Sequence, residues 1–353
     1  MSERTPKVLV LHTGGTIGMR EGPRGFAPAS GALEAELARR PPLSDPGGAR
    51  FTTAPFEDGT SVRYDVLEYD PLLDSANLDL SQWGRFAEDI RAHYDAYDGF
   101  VVLHGTDTMA YTASALSFLL DGLDKPVVLT GSQIPLVRVR SDGLDNLLTA
   151  LWMAARSGVP EVMLAFHHRV LRGNRVTKVD ASGLDAFASP NFGPLAEAGI
   201  DLTVHRERAL PMPTGALHVD ARLSPHVAAL RLYPGITREI LANFLRPPLE
   251  GLVLETYGSG NAPDARADLM AELASASQRG VVIVNVTQCL RGTVNEAYQA
   301  GRALAEIGVL PGADLTPEAA LAKLCWLLGK PHLSRDEVRA LMVRPLRGEM
   351  TLR

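Results

Sequence analysis

The first residues of the chain that could do chemistry are two threonines beside paired glycines. Thr13 and Thr16 lie in TGGTIG, directly after the apolar run at 8–11. A threonine hydroxyl can attack a carbonyl carbon when a neighbouring base or a lowered pKa activates it. The same glycines also fit a structural turn or a phosphate-binding loop, since glycine permits tight turns and close backbone approach. The segment lacks the G-x-G-x-x-G order and the GK[ST] ending, so a nucleotide loop is the weaker interpretation.

A further threonine, with a carboxylate beside it, follows another apolar run. Thr106 and Asp107 lie in HGTDTM, after the run at 100–103. Taken alone, such a pair usually marks the start of a helix, and either Asp107 or Thr108 fits the N-cap position. Two threonine-bearing loops that each follow an apolar run in one chain shift the balance away from a simple helix cap.

The elements that must position these loops alternate between short β-rich runs and longer segments of helical period. This alternation predicts a parallel sheet covered on both faces, whose ligands bind beyond the carboxyl ends of the strands. The predicted strands are 8–11, 100–103, 126–129, 161–165, 227–232, 251–254 and 281–286. The predicted helices are 80–97, 108–120, 142–155, 237–245, 265–279, 298–307 and 316–328. Ser81 and Ser141 are the predicted caps of the first and third helices.

A polar stretch with prolines after Gly199 interrupts the alternation, and its composition suits a linker or a solvent-side hairpin. We therefore predict an N-terminal domain at 1–205, a linker at 206–222 and a C-terminal domain at 223–353. The predicted fold class is α/β. The larger N-terminal domain contains a doubly wound, mostly parallel sheet, and the C-terminal domain is a smaller α/β unit.

The composition argues against several classes of protein. The 353 residues include 35 basic and 41 acidic side chains, with a net charge of −6 and no basic block, so nucleic acid is not an expected partner. The N-terminal apolar run is shorter than the ~7–15 residues of a secretory signal, and no run reaches the ~20 of a membrane span. We therefore expect a cytoplasmic protein with no membrane partner. Cys289 and Cys325 are too few for a disulfide framework, and without a CxxC or HExxH pattern we expect no metal and no cofactor.

Nine short motifs, spread over almost the whole chain, match those of a known family in their order. TGGTIGM at 13–19 and HGTDTM at 104–109 resemble the two signature motifs of the asparaginase/glutaminase family, and the match is closest to its cytoplasmic, type I branch. The other matching segments are DSANL from Asp74, TGSQIP from Thr130, RSDGLDNLL from Arg140, RGNRVTK from Arg172, AFASPN from Ala186, YPGI from Tyr233 and GSGNAP from Gly258.

The resemblance implies hydrolysis of the side-chain amide of L-asparagine to aspartate and ammonia. Thr16 matches the primary nucleophile of the family, which forms an acyl-enzyme. Thr106, Asp107 and Lys178 match a second group, in which the lysine and the aspartate polarise a threonine that activates water. Other accounts of the family give that threonine a larger part in catalysis, and the sequence does not decide between them. Taken alone, Lys178 would be interpreted as a solvated surface lysine.

The resemblance also assigns residues that bind the substrate. Asp74 and Ser75 match the residues that hold the α-amino and α-carboxylate groups, through an ion pair and a donated hydrogen bond respectively. A simple Asp-Ser turn is the structural alternative. Asn261 matches a position that reaches into the site of a neighbouring subunit. This match implies a homodimer or homotetramer whose active sites lie between protomers.

One departure from the family's pattern concerns a tyrosine. Type I relatives usually carry it in the flexible loop after the first motif, in a Gly-Tyr-x-Pro setting, where this chain has Phe26. Phe26 could still close over the substrate, but it has no hydroxyl. Tyr298 in NEAYQAG matches a tyrosine of several cytosolic members, and we expect it to contact the hydroxyl of Thr16 from the same or another subunit. The alternative is a tyrosine packed at the start of a helix.

A second departure concerns regulation. Allosteric type I relatives bind a second asparagine in the smaller domain through an arginine in the strand before the glycine-rich loop. Glu255 stands at that position and reverses the charge, whereas Thr287 and Cys289 still match other lining positions. We therefore expect the effector site to be reshaped or absent. Cys289 is otherwise expected to be an ordinary buried thiol.

Two alternative functions stay open at this point. A degenerate asparagine-binding sensor would keep the fold without turnover, and Phe26 alone favours it. A tRNA-dependent amidotransferase subunit shares the core but hands ammonia to a partner; such chains carry an added N-terminal domain and a basic RNA-binding surface, neither of which we expect here. Glutamine is one methylene longer than asparagine, a difference worth ~1–3 kcal/mol in a pocket, so weaker glutaminase activity is also expected.

Overall fold

The computed structural model of the chain describes residues 4–23, 25–44, 51–294 and 299–351. Its contacts divide the chain into two units, Met1–Ala221 and Arg222–Arg353. Residues 206–221, which the sequence analysis assigns to a linker, are part of the first unit. None of the helices formed by the described residues is both long and apolar enough to cross a membrane.

The first unit combines a large sheet with small strand pairs and helices. Its strands are β1 (Lys7–Gly14), β2 (Met19–Gly22), β3 (Gly25–Pro28), β4 (Arg63–Leu73), β5 (Gly99–Leu103), β6 (Leu120–Asp121), β7 (Val127–Thr130), β8 (Val162–Phe166), β9 (Arg169–Arg172), β10 (Thr177–Lys178), β11 (Phe187–Ala188), β12 (Ala196–Ala198), β13 (Leu202–Val204) and β14 (His218–Val219). Its α-helices are α1 (Ala32–Leu37), α2 (Leu80–Ala92), α3 (Met109–Leu119) and α4 (Gly143–Arg156). Short 3-10 helices cover Thr16–Gly18, Ser75–Asn77, Tyr94–Ala96, Gly173–Arg175 and Arg206–Arg208.

The large sheet has the strand order β13-β12-β9-β8-β7-β5-β1-β4. The strands from β4 to β8 in this order run parallel, and β9, β12 and β13 complete the sheet in antiparallel orientation. The central strand β5 is buried along its whole length, as expected for an apolar strand covered on both faces. The predicted α/β class with a mostly parallel sheet is confirmed.

The register of the sheet brings the predicted loops to one edge. His12 of β1 lies beside Leu103 of β5, and Leu103 lies beside Thr130 of β7. β5 and β7 therefore end at the same level, and β1 ends two residues later at Gly14, so the loops that follow leave the sheet side by side. Behind the strands, Val10 and Val101 share an apolar core with Leu147 of α4.

Some elements differ from the sequence-based predictions. The sequence analysis misses β4, the edge strand beside β1, because its apolar residues are interrupted by charged ones and a proline. Helix α2 ends at Ala92, and its cap is Asp79 in a capping box with Gln82, not Ser81. The hydroxyl of Ser141 does accept a hydrogen bond from the N–H of Gly143, the first residue of α4, at 3.0 Å.

The second unit contains a smaller parallel sheet between two layers of apolar side chains. Its strands, in sheet order, are β15 (Val227–Arg231), β16 (Gly251–Thr256), β17 (Val282–Thr287) and β18 (Leu310–Pro311). Its α-helices are α5 (Arg238–Phe244), α6 (Ala267–Gln278), α7 (Gln299–Glu306), α8 (Pro317–Leu328) and α9 (Arg335–Met342). Leu252 belongs to the core cluster of α6, and its neighbour Val253 belongs to that of α8, because successive strand residues face opposite sides. The predicted smaller α/β unit is therefore confirmed.

Candidate active site

Three loops of the first unit meet at two glycines where a side chain would clash with the neighbouring loop. A Cβ placed on Gly15 would lie 2.5 Å from the backbone N of Gly105, and Gly15 has a φ of +87°. A Cβ placed on Gly105 would lie 2.4 Å from Oγ of Ser75. Glycine at both positions therefore lets the loops after β1, β4 and β5 touch. This contact brings the neighbouring Thr16 and Thr106 to one place at the edge of the sheet.

The two threonines of the first loop have different surroundings. The Thr13 hydroxyl is buried and donates to the carbonyl oxygen of Leu103 at 2.8 Å, so it ties β1 to β5. Thr16 is half-buried and begins the 3-10 helix Thr16–Gly18. Its hydroxyl has no hydrogen-bond partner in the described part of the chain. Of the two, Thr16 is therefore the hydroxyl that is available for chemistry.

Lys178 joins the two polar residues of the second loop. Its Nζ lies 2.9 Å from Oγ1 of Thr106 and 2.8 Å from Oδ1 of Asp107. The Lys178 side chain is 18% exposed and that of Asp107 is 64% exposed, so the ion pair is partly screened by solvent. Lys178 reaches Thr106 from β10, which pairs with β11. It is therefore directed at the loop and is not a freely solvated lysine.

Gln133, to which the sequence analysis assigns no role, fixes the orientation of the Thr106 hydroxyl. The side-chain Nε2 of Gln133 donates to the carbonyl oxygen of Gly183 at 3.0 Å, which turns its Oε1 towards Thr106. The Thr106 hydroxyl donates to that Oε1 at 3.1 Å. Its proton thus points away from Lys178, and its oxygen accepts from Lys178. The only sequence signal for Gln133 is its place in the TGSQIP motif.

Asp74 and Ser75 lie where β4 ends, in contact with the second loop. The Asp74 carboxylate is exposed and accepts from the backbone N of Ala76 at 3.1 Å, as in the Asx turn considered from the sequence. Ser75 is buried, and its carbonyl oxygen accepts from the hydroxyl of Thr108 at 2.8 Å. Of the two candidates for the cap of α3, Asp107 is not at the N-cap position. Thr108 occupies the N-cap position, but its hydroxyl joins two loops, and Asp107 binds Lys178.

A buried histidine supports the second loop from behind. Nδ1 of His104 donates to the carbonyl oxygen of Gly105 at 2.7 Å, and its Nε2 accepts from the hydroxyl of Thr112 at 2.9 Å. Thr112 in turn accepts from Nε1 of Trp83 at 3.0 Å. Burial lowers the pKa of His104 to about 4, against the opposing effect of the Gly105 carbonyl. A neutral imidazole at physiological pH is the form that satisfies both of its hydrogen bonds.

The remaining predicted residues are Phe26, Asn261 and Tyr298. Phe26 lies on β3 of the β2–β3 hairpin, 39% exposed, with the guanidinium of Arg138 at 5.4 Å from its ring centroid. Asn261 lies in the turn after β16, where its backbone and that of Tyr257 exchange hydrogen bonds of 2.8 and 2.9 Å. Tyr298 falls outside the described residues.

Around Glu255, the second unit has its own charge pairing. Glu255 lies beside Arg231 in the register of β15 and β16, and its carboxylate is 3.6 Å from the Arg231 guanidinium. The Thr287 hydroxyl donates to the carbonyl oxygen of Gly258. Cys289 is exposed, so the expectation of a buried thiol is wrong. In the described ranges, no group of three or more His, Cys, Asp or Glu side chains could hold a metal ion.

Comparison with known proteins gives the same family for both units. Residues 7–210 match the family model "Asparaginase, N-terminal", and residues 226–342 match "Glutaminase/Asparaginase C-terminal domain". L-asparaginase 1 of Escherichia coli K12 is 49% identical over 345 residues, which are 98% of either chain. The 60 kDa lysophospholipase of Homo sapiens is 47% identical over 354 residues, covering 98% of this chain and 61% of that protein. The crystal structure of L-asparaginase I from Vibrio cholerae matches with a TM-score of 0.88 at 46% identity, covering 99% of this chain and 100% of the other.

The buried histidine makes stability depend on pH. Its pKa is about 6.5 when unfolded and about 4 when folded, so the unfolded chain binds more protons between these values and stability falls as pH falls. We expect the free energy of unfolding at pH 5 to be about 2 kcal/mol below that at pH 7, measured by urea denaturation. His12, whose pKa burial also lowers, adds to the loss with the same sign.

The matched control is His104→Gln, whose amide can still donate to Gly105 and accept from Thr112. This variant should lose clearly less stability between pH 7 and pH 5 than the native chain. An equal loss in both proteins would mean that another group causes the pH dependence.

Proposed function

The chain belongs to the asparaginase family, and from this premise we propose that it hydrolyses L-asparagine to L-aspartate and ammonia. The observation that carries the proposal is the group of Thr106, Asp107 and Lys178, placed against the Thr16 loop by the contact of Gly15 with Gly105. The group supplies hydroxyl, carboxylate and amine functions within hydrogen-bond reach of one another. Amide hydrolysis through a hydroxyl nucleophile needs such a set.

Thr16 is the nucleophile of the proposed reaction. Its Oγ1 attacks the amide carbon of asparagine, the proton of the hydroxyl is transferred to the amide nitrogen, the C–N bond breaks to release ammonia, and an ester joins the acyl group to Thr16. Water then attacks the ester, which releases aspartate and restores the hydroxyl. The support is the free hydroxyl of Thr16, while Thr13 is engaged with Leu103.

Thr106 directs the water in the second step. Its oxygen accepts from Lys178 and its proton is donated to Gln133, so one lone pair is left to accept a hydrogen bond from water. Asp107 holds Nζ of Lys178 from the other side at 2.8 Å. This arrangement supports the version of the mechanism in which lysine and aspartate polarise Thr106, and Thr16 forms the ester.

The substrate's backbone groups are held beside the two threonines. The exposed carboxylate of Asp74 pairs with the α-ammonium, and the Ser75 hydroxyl, next to Gly105, donates to the α-carboxylate. A pocket for one amino acid discriminates poorly against an added methylene, which is worth ~1–3 kcal/mol. Slower hydrolysis of glutamine is therefore part of the proposal.

We further propose a homodimer or homotetramer in which neighbouring subunits complete each site. Asn261 supplies its side-chain amide to the neighbour's site, and Tyr298 supplies to Thr16 the hydroxyl that Phe26 lacks. In the described ranges the Asn261 amide forms no hydrogen bond, which leaves it available for such a contact. We also propose that the N-terminal domain carries the active site.

The nucleophile is tested by ammonia release from asparagine at neutral pH. We expect Thr16→Ala to reduce kcat by at least about 1,000-fold, since the ester cannot form. Thr13→Val is the matched control, because it removes the neighbouring hydroxyl and its bond to Leu103 but keeps the shape of the side chain. It should cost roughly 1 kcal/mol of stability and leave kcat within a few-fold. If the native chain binds asparagine and releases no ammonia, it is a sensor and the proposal fails.

Completion of the site by a neighbour is tested by dilution. Specific activity should fall once the protein is diluted to concentrations at which light scattering shows that it is monomeric. Asn261→Ala should raise KM about tenfold at concentrations where the oligomer is intact, because one hydrogen bond to the substrate is lost. Full activity in a sample shown to be monomeric would exclude sites shared between protomers.

The pairing of Glu255 with Arg231 predicts simple kinetics. The Glu255 carboxylate repels the α-carboxylate of a second asparagine and already pairs with Arg231, and the Thr287 hydroxyl is engaged by Gly258. Initial velocity against asparagine concentration should therefore be hyperbolic, with a Hill coefficient of about 1. A sigmoidal dependence of initial velocity on asparagine concentration would show that an effector site remains.

A further inference from the structure

One carboxylate contacts two distant points of the segment that carries Thr16. Glu68 lies on β4, directly beside His12 of β1 in the register. Its Oε2 accepts from Nδ1 of His12 at 3.2 Å, and its Oε1 accepts from Oγ of Ser30 at 2.7 Å and from the N–H of Gly31 at 2.8 Å. Residues 12–31, here named the Thr16 segment, contain the end of β1, Thr16, β2 and β3. Glu68 therefore contacts this segment near both of its ends.

The contact with His12 supports the turn of Thr16 directly. His12 is fully buried, and a Cβ placed on Gly18 would lie 2.7 Å from its Nε2, so the imidazole packs under the 3-10 helix Thr16–Gly18. Burial lowers the pKa of His12, so the ring is neutral and carries its proton on the nitrogen that faces Glu68. Among the described residues Nε2 has no hydrogen-bond partner, and Glu68 is the polar anchor of the ring. A displacement of the Glu68 side chain would therefore move His12 and, through it, the turn that carries Thr16.

The contact with Ser30 and Gly31 fixes the other end of the segment. These residues follow β3, and Gly31 precedes α1 with a φ of 68°. Both donate to the same oxygen of Glu68, which places the end of the hairpin against β4. Although burial opposes ionisation of Glu68, the hydrogen bonds from Gly31, Ser30 and His12 outweigh it and lower the pKa of the carboxyl. The ionised carboxylate makes these hydrogen bonds stronger than bonds to a neutral acceptor.

We infer that Glu68 is a positioning residue that holds both ends of the Thr16 segment and so sets the position of the Thr16 hydroxyl. The effect on turnover rests on the proposed function, whereas the fixing of the segment does not. Misplacing a reacting group by about 1 Å can cost roughly 100-fold in rate. A residue that never touches the substrate can therefore control kcat through His12.

Glu68→Gln tests the inference, with Asp65→Asn as the matched control. Asp65 is a part-buried carboxylate on the same strand, and it accepts from Nζ of Lys7 at 2.7 Å and from the hydroxyl of Tyr97 at 2.8 Å, far from the Thr16 turn. We expect Glu68→Gln to lower kcat about tenfold and Asp65→Asn to leave it within about twofold. Ser30→Ala, which removes one contact of the hairpin and leaves that of His12, should raise KM and change kcat little.

Hydrogen–deuterium exchange of the Thr16 segment, followed by mass spectrometry, gives a readout that does not depend on activity. In Glu68→Gln the segment should exchange about tenfold faster than in the native chain, and in Asp65→Asn it should not. Unchanged exchange in Glu68→Gln, or faster exchange with unchanged kcat, would overturn the inference. If Glu68→Gln does not fold, faster exchange at 25–31 in Ser30→Ala is the expected result, and no change there overturns it. A native chain without ammonia release would refute the proposed function alone, because the exchange comparison still tests the role of Glu68.

Discussion

The close approach of Gly15 to Gly105 and of Gly105 to Ser75 is the constraint on which the candidate site depends. Parallel strands bring their carboxyl ends to one edge, but ordinary side chains would keep the following loops several ångströms apart. Glycine at two positions removes that separation, because a Cβ at either would lie within 2.5 Å of another atom. The hydroxyls of Thr13 and Thr108 then join the loops through the carbonyl groups of Leu103 and Ser75. These contacts join the loops into one surface that contains Thr16 and Thr106.

Polar groups around this surface are divided by their exposure. Behind it, His104 is neutral and fully hydrogen-bonded, since a buried charge without a partner would be costly. Nearer the surface, the carboxylate of Asp107 is 64% exposed and pairs with Lys178, so solvent screens this ion pair in part. Gln133 links the two regions, because its amide is held by a backbone carbonyl and its oxygen orients Thr106. The order of the polar groups, from fixed to exposed, suits a site that must bind and release a charged amino acid.

The apolar runs and the order of the motifs were sufficient to predict the mostly parallel sheet, the smaller α/β unit and the loops that carry Thr16 and Thr106. The prediction missed β4, because an edge strand needs only one apolar face and its sequence resembles a loop. Gln133 and Glu68 could not be recognised either, since a hydrogen bond between residues far apart in the chain leaves no local pattern. The cap of α2 was misjudged because Asp79, two residues before Ser81, begins the helix with a local capping box. Thr108 does stand at the N-cap of α3, but a tertiary contact with Ser75 takes its hydroxyl.

The hydrogen bond from Trp83 to Thr112 gives the protein an optical probe of its own. The indole is buried, and its N–H is connected through Thr112 to the imidazole behind the Thr106 loop. The emission of an indole responds to hydrogen bonding and to nearby charge, so a change at His104 alters the fluorescence of Trp83 without any added dye. The indole N–H of Trp152 bonds to Asp58 instead, and Trp326 lies in the second unit. The emission of these two indoles is the background against which that of Trp83 is measured.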